Sequence, residues 1–372
     1  LSRDEGHDLV VVVSAMGHTT DELLGFANAL NPSPPQREMD MLLASGEQVS
    51  IALLAMALQS MSVAAVSMTG PQVGITTEST HGRARILGIR TDRIRTRLNE
   101  GQVVVVAGFQ GTSTSSDGIN EITTLGRGGS DTSAVALAAA LGADACEIYT
   151  DVPGVLSTDP RKVPDAQLME TISCDEMLEL ASLGASVLHP RAVEIARNYG
   201  VNLVVRSSWS DAPGTRLTSR APRPISHSGL ELGSPVDGAE EVDGQALLAL
   251  SHIPDQPGIA ARLFETLSNA GINVDLIIQA THQGSSNDIT FTVAETDLDL
   301  ARQVSQSVLD ELGGELAAER GLTKLSIRGA GIMGRPGIAA NLFNSLSQQG
   351  INLRLIATSE VKVSCVIAST TG

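Results

Sequence analysis

Short runs of β-branched residues alternate with longer helical patterns over the first 210 residues of the chain. Residues 8–15 (DLVVVVSA) and 102–108 (QVVVVAG) are nearly continuous valine runs, which are typical of strands buried on both faces of a sheet. Further strands are predicted at 63–68, 147–151 and 201–206, and helices at 39–58, 132–141 and 174–183. This alternation predicts an α/β domain over residues 1–210, in which helices cover both faces of a mostly parallel central sheet.

The chain changes character after residue 210. Residues 211–245 are rich in Pro, Gly, Ser and charged residues and lack hydrophobic periodicity, so they are predicted to form a linker. Beyond them, residues 257–277 (PGIAARLFETLSNAGINVDLI) recur at 336–356 (PGIAANLFNSLSQQGINLRLI) with 14 of 21 positions identical. The flanking patterns predict two ferredoxin-like βαββαβ modules, at 246–320 and 321–372, of which the second stops before its closing helix and strand.

Charge and composition exclude several classes of partner. The 372 residues carry a net charge of −17 without a marked Lys/Arg cluster, so binding to nucleic acid is not expected. No apolar run approaches the roughly 18 residues that a membrane-spanning helix needs, so no membrane association is expected. Cys146, Cys174 and Cys365 match neither a disulfide framework nor CxxC spacing, which favours a cytoplasmic location and burial of the thiols.

The most informative segment is residues 123–134 (TTLGRGGSDTSA). Its glycine-rich turn runs into an apolar helix, and free N–H groups at the positive end of a helix dipole suit a phosphate or a carboxylate. A structural alternative, tight turns with Asp131 as a first-turn charge, stays open at this point. The segment is neither a Walker A loop nor a dinucleotide-binding GxGxxG motif.

A second loop, residues 149–161 (YTDVPGVLSTDPR), opens from the end of a predicted strand. It carries Asp151, Asp159 and Arg161, and open α/β proteins bind ligands at the carboxyl ends of their strands. A solvated turn with an incidental charge pair explains these residues about as well.

A third loop, residues 14–22 (SAMGHTTDE), also follows a predicted strand directly. Its hydroxyl groups, on Ser14, Thr19 and Thr20, suit ligand binding. Capping of the next helix by one of the threonines is the alternative, because a threonine hydroxyl accepts from N–H groups of a first helical turn.

Two titratable residues outside these loops, Glu47 and His189, are also candidates for chemistry. Glu47 lies within an apolar helix, where a carboxylate must find a partner, an edge or a ligand. His189 precedes a proline and is interpreted as structural. The chain has no Ser/His/Asp set, HExxH motif or Cys/His cluster, so hydrolase and zinc-enzyme chemistry have no support.

These segments resemble the aspartokinases, a group within the amino-acid kinase family. The matching stretches are VVVVSAMGHTTDELL, EMDMLLASGEQVSIALLA, VVVVAGFQG, ITTLGRGGSDTSAVALAAAL, YTDVPGVLSTDPR and EMLELASLGASVLHPRAVE. The doubled PGIA…GIN module is similar to the tandem ACT domains of that family. The resemblance implies an amino-acid kinase fold that uses ATP and Mg²⁺ to phosphorylate the β-carboxylate of L-aspartate, the first step toward lysine, threonine and methionine.

The resemblance also implies roles for individual residues. The residues expected to hold L-aspartate are Thr20, Glu47, Arg127, Gly128, Gly129 and Ser130, with Glu47 at the α-ammonium group and Arg127 at the carboxylate. Asp131 would organise the phosphoryl-transfer site and counts with Arg127 and Glu47 as catalytic. The residues expected to bind the nucleotide are Ser14, Ser130, Thr150, Asp151, Leu156, Ser157, Thr158, Asp159, Pro160 and Arg161, with Arg161 near the phosphates.

The chain departs from the family pattern at its start. Members of the family open with a strand ending in Lys-Phe-Gly-Gly-Thr-Ser, whose lysine bridges the reacting groups, and the given sequence begins after that segment. One preorganised charge contributes about 10²-fold or more to a rate. We therefore expect the given 372 residues to be nearly inactive and the longer natural protein to be the kinase.

ACT modules of this family bind feedback amino acids, commonly threonine and lysine, between paired domains. The residues expected to contact an effector are Asp255, Gly258, Asn273, Gln279, Asn352, Ser359 and Glu360. Pairing of the modules implies a homo-oligomer, and a repeat that only dimerises is the alternative to effector binding. A kinase for another amino acid and a non-catalytic amino-acid sensor on a kinase fold stay open as rival functions.

Overall fold

The computed structural model describes residues 5–114, 118–182, 187–219, 230–231, 235–281, 286–329, 332 and 335–369. The chain forms two compact units, Leu1–Ser234 and Pro235–Gly372. The strands of the first unit are β1 (Val10–Val13), β2 (Ala65–Met68), β3 (Ile75–Thr77), β4 (Ile86–Ile89), β5 (Val103–Ala107), β6 (Gln110–Thr114), β7 (Asn120–Thr124), β8 (Cys146–Thr150), β9 (Thr171–Ser173), β10 (Leu203–Ser207) and β11 (Thr215–Thr218). Its helices are α1 (Thr19–Leu30), α2 (Gln36–Ser60), α3 (Asp92–Asn99), α4 (Gly129–Leu141), α5 (Cys174–Ser182) and α6 (Pro190–Tyr199).

The predicted parallel sheet is present in the order β1-β5-β2, with Val10 opposite Val104 and Ala65 opposite Val103. Strand β5 is buried along its whole length, and Ile51 and Ala55 of α2 pack against it. Strand β1 is only half-buried, because among the described residues it lies at an edge of this sheet. The expectation of burial on both faces is therefore wrong for β1, while the α/β fold class is confirmed.

Two further four-stranded sheets complete the first unit, in the orders β4-β3-β6-β7 and β8-β10-β11-β9. The second combines the parallel pair β8 and β10 with the antiparallel pair β10 and β11. The strands of the first are short and rich in threonine, so their sequences lack the apolar runs that predict strands.

The segment 211–245, predicted to be a linker, contains strand residues at both ends. Strand β11 pairs with β9 and β10 inside the first unit, and the first strand of the second unit begins at Gly238. The absence of hydrophobic periodicity misled the interpretation here, because a strand of four residues carries only two inward side chains, which are Thr215 and Leu217 in β11.

Helix α2 is long and apolar enough, by length and composition, to cross a membrane, which the apolar-run argument did not anticipate. It nevertheless carries two buried carboxylates, Asp40 and Glu47, which accept hydrogen bonds from the backbone of Gly82 and Ala15. A charge that is tied to neighbouring loops is expected in a core helix, so we interpret α2 as part of the core of the first unit.

The second unit is one six-stranded sheet built from both copies of the repeat. Its elements are β12 (Gly238–Pro254), α7 (Ile259–Asn269), β13 (Val274–Thr281), β14 (Ser286–Ala294), a 3₁₀ turn (Glu295–Asp297), α8 (Leu298–Leu312), β15 (Glu315–Arg328), α9 (Ile338–Gln348), β16 (Leu353–Thr358) and β17 (Lys362–Ala368). The strand order is β13-β14-β12-β15-β17-β16. Strands β12 and β15 are longer than predicted and pair with each other, so the predicted module boundary at 320 and 321 lies inside β15.

Candidate active site

The candidate site is built where β1 and β5 end. These strands are parallel neighbours, so the residues after them meet at one edge of the sheet, and Gly108 N–H donates to the Val13 carbonyl over 3.0 Å. A Cβ atom on Gly108 would lie 2.8 Å from Ser130 Oγ, so the first turn of α4 contacts the end of β5 directly. Ser14 and Ser130 are thereby brought to the same edge of the sheet.

Glu47 projects from α2 toward the end of β1. Its Oε1 accepts the Ala15 N–H over 3.1 Å, and the residue is 4% exposed. Among the described residues its Oε2 is buried and has no hydrogen-bond partner. Burial raises the pKa of this carboxyl, and backbone N–H groups of Glu47 and Ala15 oppose the rise. A buried carboxylate with one unused oxygen is suited to a cationic ligand group.

The glycine-rich turn takes the conformation that its sequence requires. Gly126 and Gly128 have φ values of +80° and +63°, which favour glycine, and Gly128 caps α4. Within the described part of the chain, no side chain caps the start of α4. Arg127, at the tip of the turn, is exposed, and the described residues give it no ion-pair partner. The turn thus presents a guanidinium group next to a helix N-terminus.

Asp131 lies in the first turn of α4 and is half-buried. Burial raises the pKa of its carboxyl, and a hydrogen bond from the backbone N–H of His189 opposes that rise. His189 caps α6 and accepts the Arg191 N–H at its Nδ1 over 3.3 Å. Burial lowers the pKa of His189, so the ring is neutral at neutral pH, in keeping with its predicted structural role.

Sequence reasoning missed a carboxylate network that holds the turn from the side of α2. Asp40 is 1% exposed and accepts hydrogen bonds from Gly82 N–H, from Thr124 Oγ1 and from His81 Nδ1, the last at 2.7 Å. The His81 ring also lies 3.2 Å from Glu121 Oε2. The only signal in the sequence is that Asp40 precedes Glu47 by two helical turns, which places both carboxylates on one face of α2.

Phe109 was also missed. It has a φ of +67°, an uncommon conformation for a residue with a side chain, and it follows Gly108 at the end of β5. Its N–H donates to Ser133 Oγ over 3.3 Å, and a Cβ on Gly129 would lie 2.7 Å from its ring. Strained backbone persists where the surroundings fix it, so this position is held tightly between β5 and α4.

Thr20 lies in the first turn of α1, which packs on α2. The alternative in which a threonine caps α1 is wrong, because His18 occupies the capping position and the cap has no side-chain hydrogen bond. A Cβ on Gly46 would lie 3.6 Å from Thr19 Cγ2, so the start of α1 approaches the helix turn that carries Glu47.

The predicted nucleotide loop begins at Thr150, the last residue of β8, whose Oγ1 accepts Val152 N–H over 3.0 Å. Leu156 forms a bridge with Leu168, and Asp151, Ser157, Thr158, Pro160 and Arg161 are exposed. Asp159 binds Arg161 through both carboxylate oxygens, at 3.0 and 3.1 Å, and this contact lowers the pKa of Asp159. A nucleotide held by residues 156–161 must meet the substrate held by residues 126–131, so we predict that these two segments face each other across a cleft.

Of the predicted effector residues, Asn273 and Asn352 are equivalent in the two repeats, and Gly258 has its equivalent in Gly337. Gly258 and Gly337 cap α7 and α9 with the same conformation, φ 96° and ψ −13°, and neither cap has a side-chain hydrogen bond. Asp255 Oδ1 accepts Asn287 Nδ2 over 2.7 Å. The remaining predicted residues lie at strand starts, within a strand or in the turn between β16 and β17: Asn273, Gln279, Asn352, Ser359 and Glu360.

Comparison with known proteins gives consistent matches. A model of the amino acid kinase family matches residues 1–207, and an ACT domain model matches residues 251–307 and 325–372. The aspartokinase of Thermus thermophilus is 48% identical over 367 residues, covering 98% of this chain and 88% of that protein. The aspartokinase of Geobacillus stearothermophilus is 50% identical over 363 residues, covering 98% and 86%.

Among solved structures, the crystal structure of aspartate kinase from Synechocystis matches with a TM-score of 0.77 at 54% identity. The match covers 99% of this chain and 62% of the Synechocystis chain. This chain therefore spans less than two thirds of that protein.

Proposed function

We propose, because the chain belongs to the aspartokinases of the amino acid kinase family, that it transfers the γ-phosphoryl group of ATP to the β-carboxylate of L-aspartate. The product, 4-phospho-L-aspartate, would start the route to lysine, threonine and methionine. The observation that supports the proposal is that a buried carboxylate with an unused oxygen, Glu47, lies at the end of β1, while the α4 N-terminus that follows Arg127 lies at the end of the neighbouring strand β5.

This arrangement matches the charges of an amino-acid substrate. Glu47 would bind the α-ammonium group, while Arg127 and the N–H group of Ser130 would face a carboxylate. Thr20 would help to orient the substrate from the start of α1. Recognition of both charged groups fixes the side chain in one orientation, which is how binding energy lowers the entropy cost of a reaction.

The chemistry needs charge cancellation and no general base. An aspartate side chain has a reference pKa of about 3.9, so the nucleophile is already ionised at neutral pH. Arg127 and the unbonded N–H groups of the first turn of α4 would reduce repulsion between the carboxylate and the phosphates. Asp131 would organise the phosphoryl-transfer site from the same turn.

The residues also fit ATP and Mg²⁺. Mg²⁺ is usually held by one or two carboxylates together with substrate phosphates, so a cluster of three protein ligands is not required. Within the described residues no such cluster of three occurs, and Asp131 is the carboxylate nearest the helix N-terminus. When bound, Mg²⁺ neutralises phosphate charge. Ser14, Thr150, Asp151 and the loop from Leu156 to Arg161 would hold the nucleotide.

A coupled assay of ADP release tests this function. The protein is expected to turn over L-aspartate and not to phosphorylate glutamate, acetylglutamate or a nucleotide acceptor. Preference for another acceptor would contradict the aspartate assignment. Calorimetric binding of threonine or lysine without phosphoryl transfer would favour the non-catalytic sensor instead.

We also infer feedback control by threonine, lysine or both through the second unit. The support is the pair of equivalent helix N-termini at α7 and α9, with Asp255 and Glu360 as candidate partners for an ammonium group. Homo-oligomerisation through the ACT modules belongs to the same proposal. Titration of both amino acids into the active protein should lower its rate, and an unchanged rate would exclude the feedback role.

A further inference from the structure

Arg191, in the first turn of α6, contacts three other segments of the first unit and has no part in the proposed catalysis. Its Nε and Nη2 lie 2.8 Å from the two carboxylate oxygens of Glu231. Nη2 also donates to the Ala84 carbonyl over 2.8 Å, and Nη1 donates to the Leu125 carbonyl. One planar guanidinium therefore joins α6, the loop before β4, the glycine-rich turn and the residue at 231.

Two of these contacts fix the base of the glycine-rich turn. Leu125 directly precedes Gly126 and Arg127, so its carbonyl sets where the turn begins. Ala84 N–H donates to the Thr124 carbonyl over 2.9 Å, which ties the loop to the end of β7. A guanidinium that holds two backbone carbonyls in a fixed geometry constrains both segments at once, and loss of this constraint would free the turn that carries Arg127.

Glu231 is buried and is tied into the first unit close to that unit's end. Its side chain is 2% exposed, and its Oε2 accepts the Ile86 N–H over 2.6 Å. The backbone of residues 230–231 is bonded to β4 as well, because Leu230 N–H donates to the Leu87 carbonyl over 2.9 Å and Glu231 N–H donates to the Ile86 carbonyl over 3.0 Å. The first unit ends at Ser234, so Glu231 stands within four residues of the point where the chain enters the second unit.

We propose that Arg191 and Glu231 are positioning residues for the glycine-rich turn that carries Arg127. The inference rests on the proposed function. Glu231 fixes the Arg191 guanidinium, and Arg191 in turn fixes the Leu125 carbonyl at the base of the turn. Loss of the pair would therefore weaken aspartate binding more than it slows the phosphoryl-transfer step.

Glu231→Gln tests this positioning role, because the amide keeps the shape of the side chain and removes its charge. The KM for aspartate should rise about tenfold or more while the KM for ATP changes less than about twofold, since small displacements of binding groups are costly. Arg191→Lys keeps the charge but cannot hold both carbonyls, so an intermediate rise in the KM for aspartate is expected.

Asp175→Asn is the matched control. Asp175 pairs with Arg197, which is 3% exposed and lies on α6 like Arg191, so this variant also breaks an ion pair of the first unit. Thermal unfolding of the variants and calorimetric binding of aspartate separate loss of fold from loss of affinity. A Glu231→Gln protein that matches Asp175→Asn in the KM for aspartate would overturn the inference alone. A wild-type protein without turnover on aspartate would overturn the proposed function and this inference with it.

Discussion

Replacing Glu47 by Gln should separate substrate affinity from protein stability. In the proposed complex Oε2 of Glu47, which has no partner among the described residues, binds the α-ammonium group of aspartate. A hydrogen bond to a charged group contributes about 1.5–3 kcal/mol, so its loss corresponds to about a 10- to 140-fold weaker dissociation constant. The amide of Gln keeps an oxygen for the Ala15 N–H and directs its NH₂ group toward the ammonium group.

The same variant should be more stable than the wild type at neutral pH, although it binds aspartate more weakly. Burial raises the pKa of Glu47, so its ionised form costs folding free energy at neutral pH, and a neutral amide removes that cost. The stabilisation from protonated Glu47 is present below its unfolded pKa of about 4.5 and is lost as pH rises through the folded pKa. The variant should therefore exceed the wild type in free energy of unfolding at pH 7, and the difference should shrink as pH falls toward 4.5.

Isothermal titration with aspartate and urea unfolding measure the two quantities on the same samples. Affinity of the wild type should also fall with pH as Glu47 takes up its proton. A variant that binds aspartate as the wild type does would refute the assignment of Glu47 to the ammonium group. A variant that loses stability and affinity together would show that Glu47 is a structural residue of α2.

Three other substitutions test the surroundings of the site. Asp40→Asn places an NH₂ group among donors, so the free energy of unfolding should fall by about 1–3 kcal/mol and the KM for aspartate should rise, measured by urea unfolding and the coupled assay. Gly128→Ala should lower the melting temperature far more than Gly142→Ala at the other end of α4. Both glycines have a positive φ, but only a Cβ at position 128 would clash with His189. Arg161→Ala should raise the KM for ATP and leave that for aspartate unchanged, and the reverse pattern would move Arg161 from the nucleotide to the amino acid.

Local sequence signals predicted the parts of the fold that rest on local physics. The valine runs at β1 and β5 and the apolar helix α4 are recognisable because their apolar residues are adjacent in sequence. The sheet that contains β3 and β7 was not predicted, because its buried residues include Thr77 and Thr123, whose hydroxyl groups form a hydrogen bond of 2.6 Å. A threonine that is buried by contacts with residues distant in sequence gives no apolar pattern in its own segment from which the strand could be predicted.

The same distinction applies to the candidate site. Glu47 was predictable because a single carboxylate interrupts an apolar helix. Asp40 was not, because it stands in the polar start of α2 and its partners Gly82 and Thr124 are remote in sequence. The pairing of Arg191 with Glu231 spans 40 residues and has no local pattern. The residues proposed to touch a ligand were predicted through motif resemblance, whereas residues that hold them in place became visible only through the fold.

The glycine-rich turn is held from three sides by groups that do not themselves bind substrate. Asp40 fixes its strand from α2, Arg191 fixes the Leu125 carbonyl from α6, and Gly108 admits Ser130 against β5. Donors that are fixed before the substrate arrives need no reorganisation when charge shifts, which is where electrostatic catalysis gains its advantage. Buried charges placed around the turn, and not only within it, are therefore part of how this site would bring one anion to attack another.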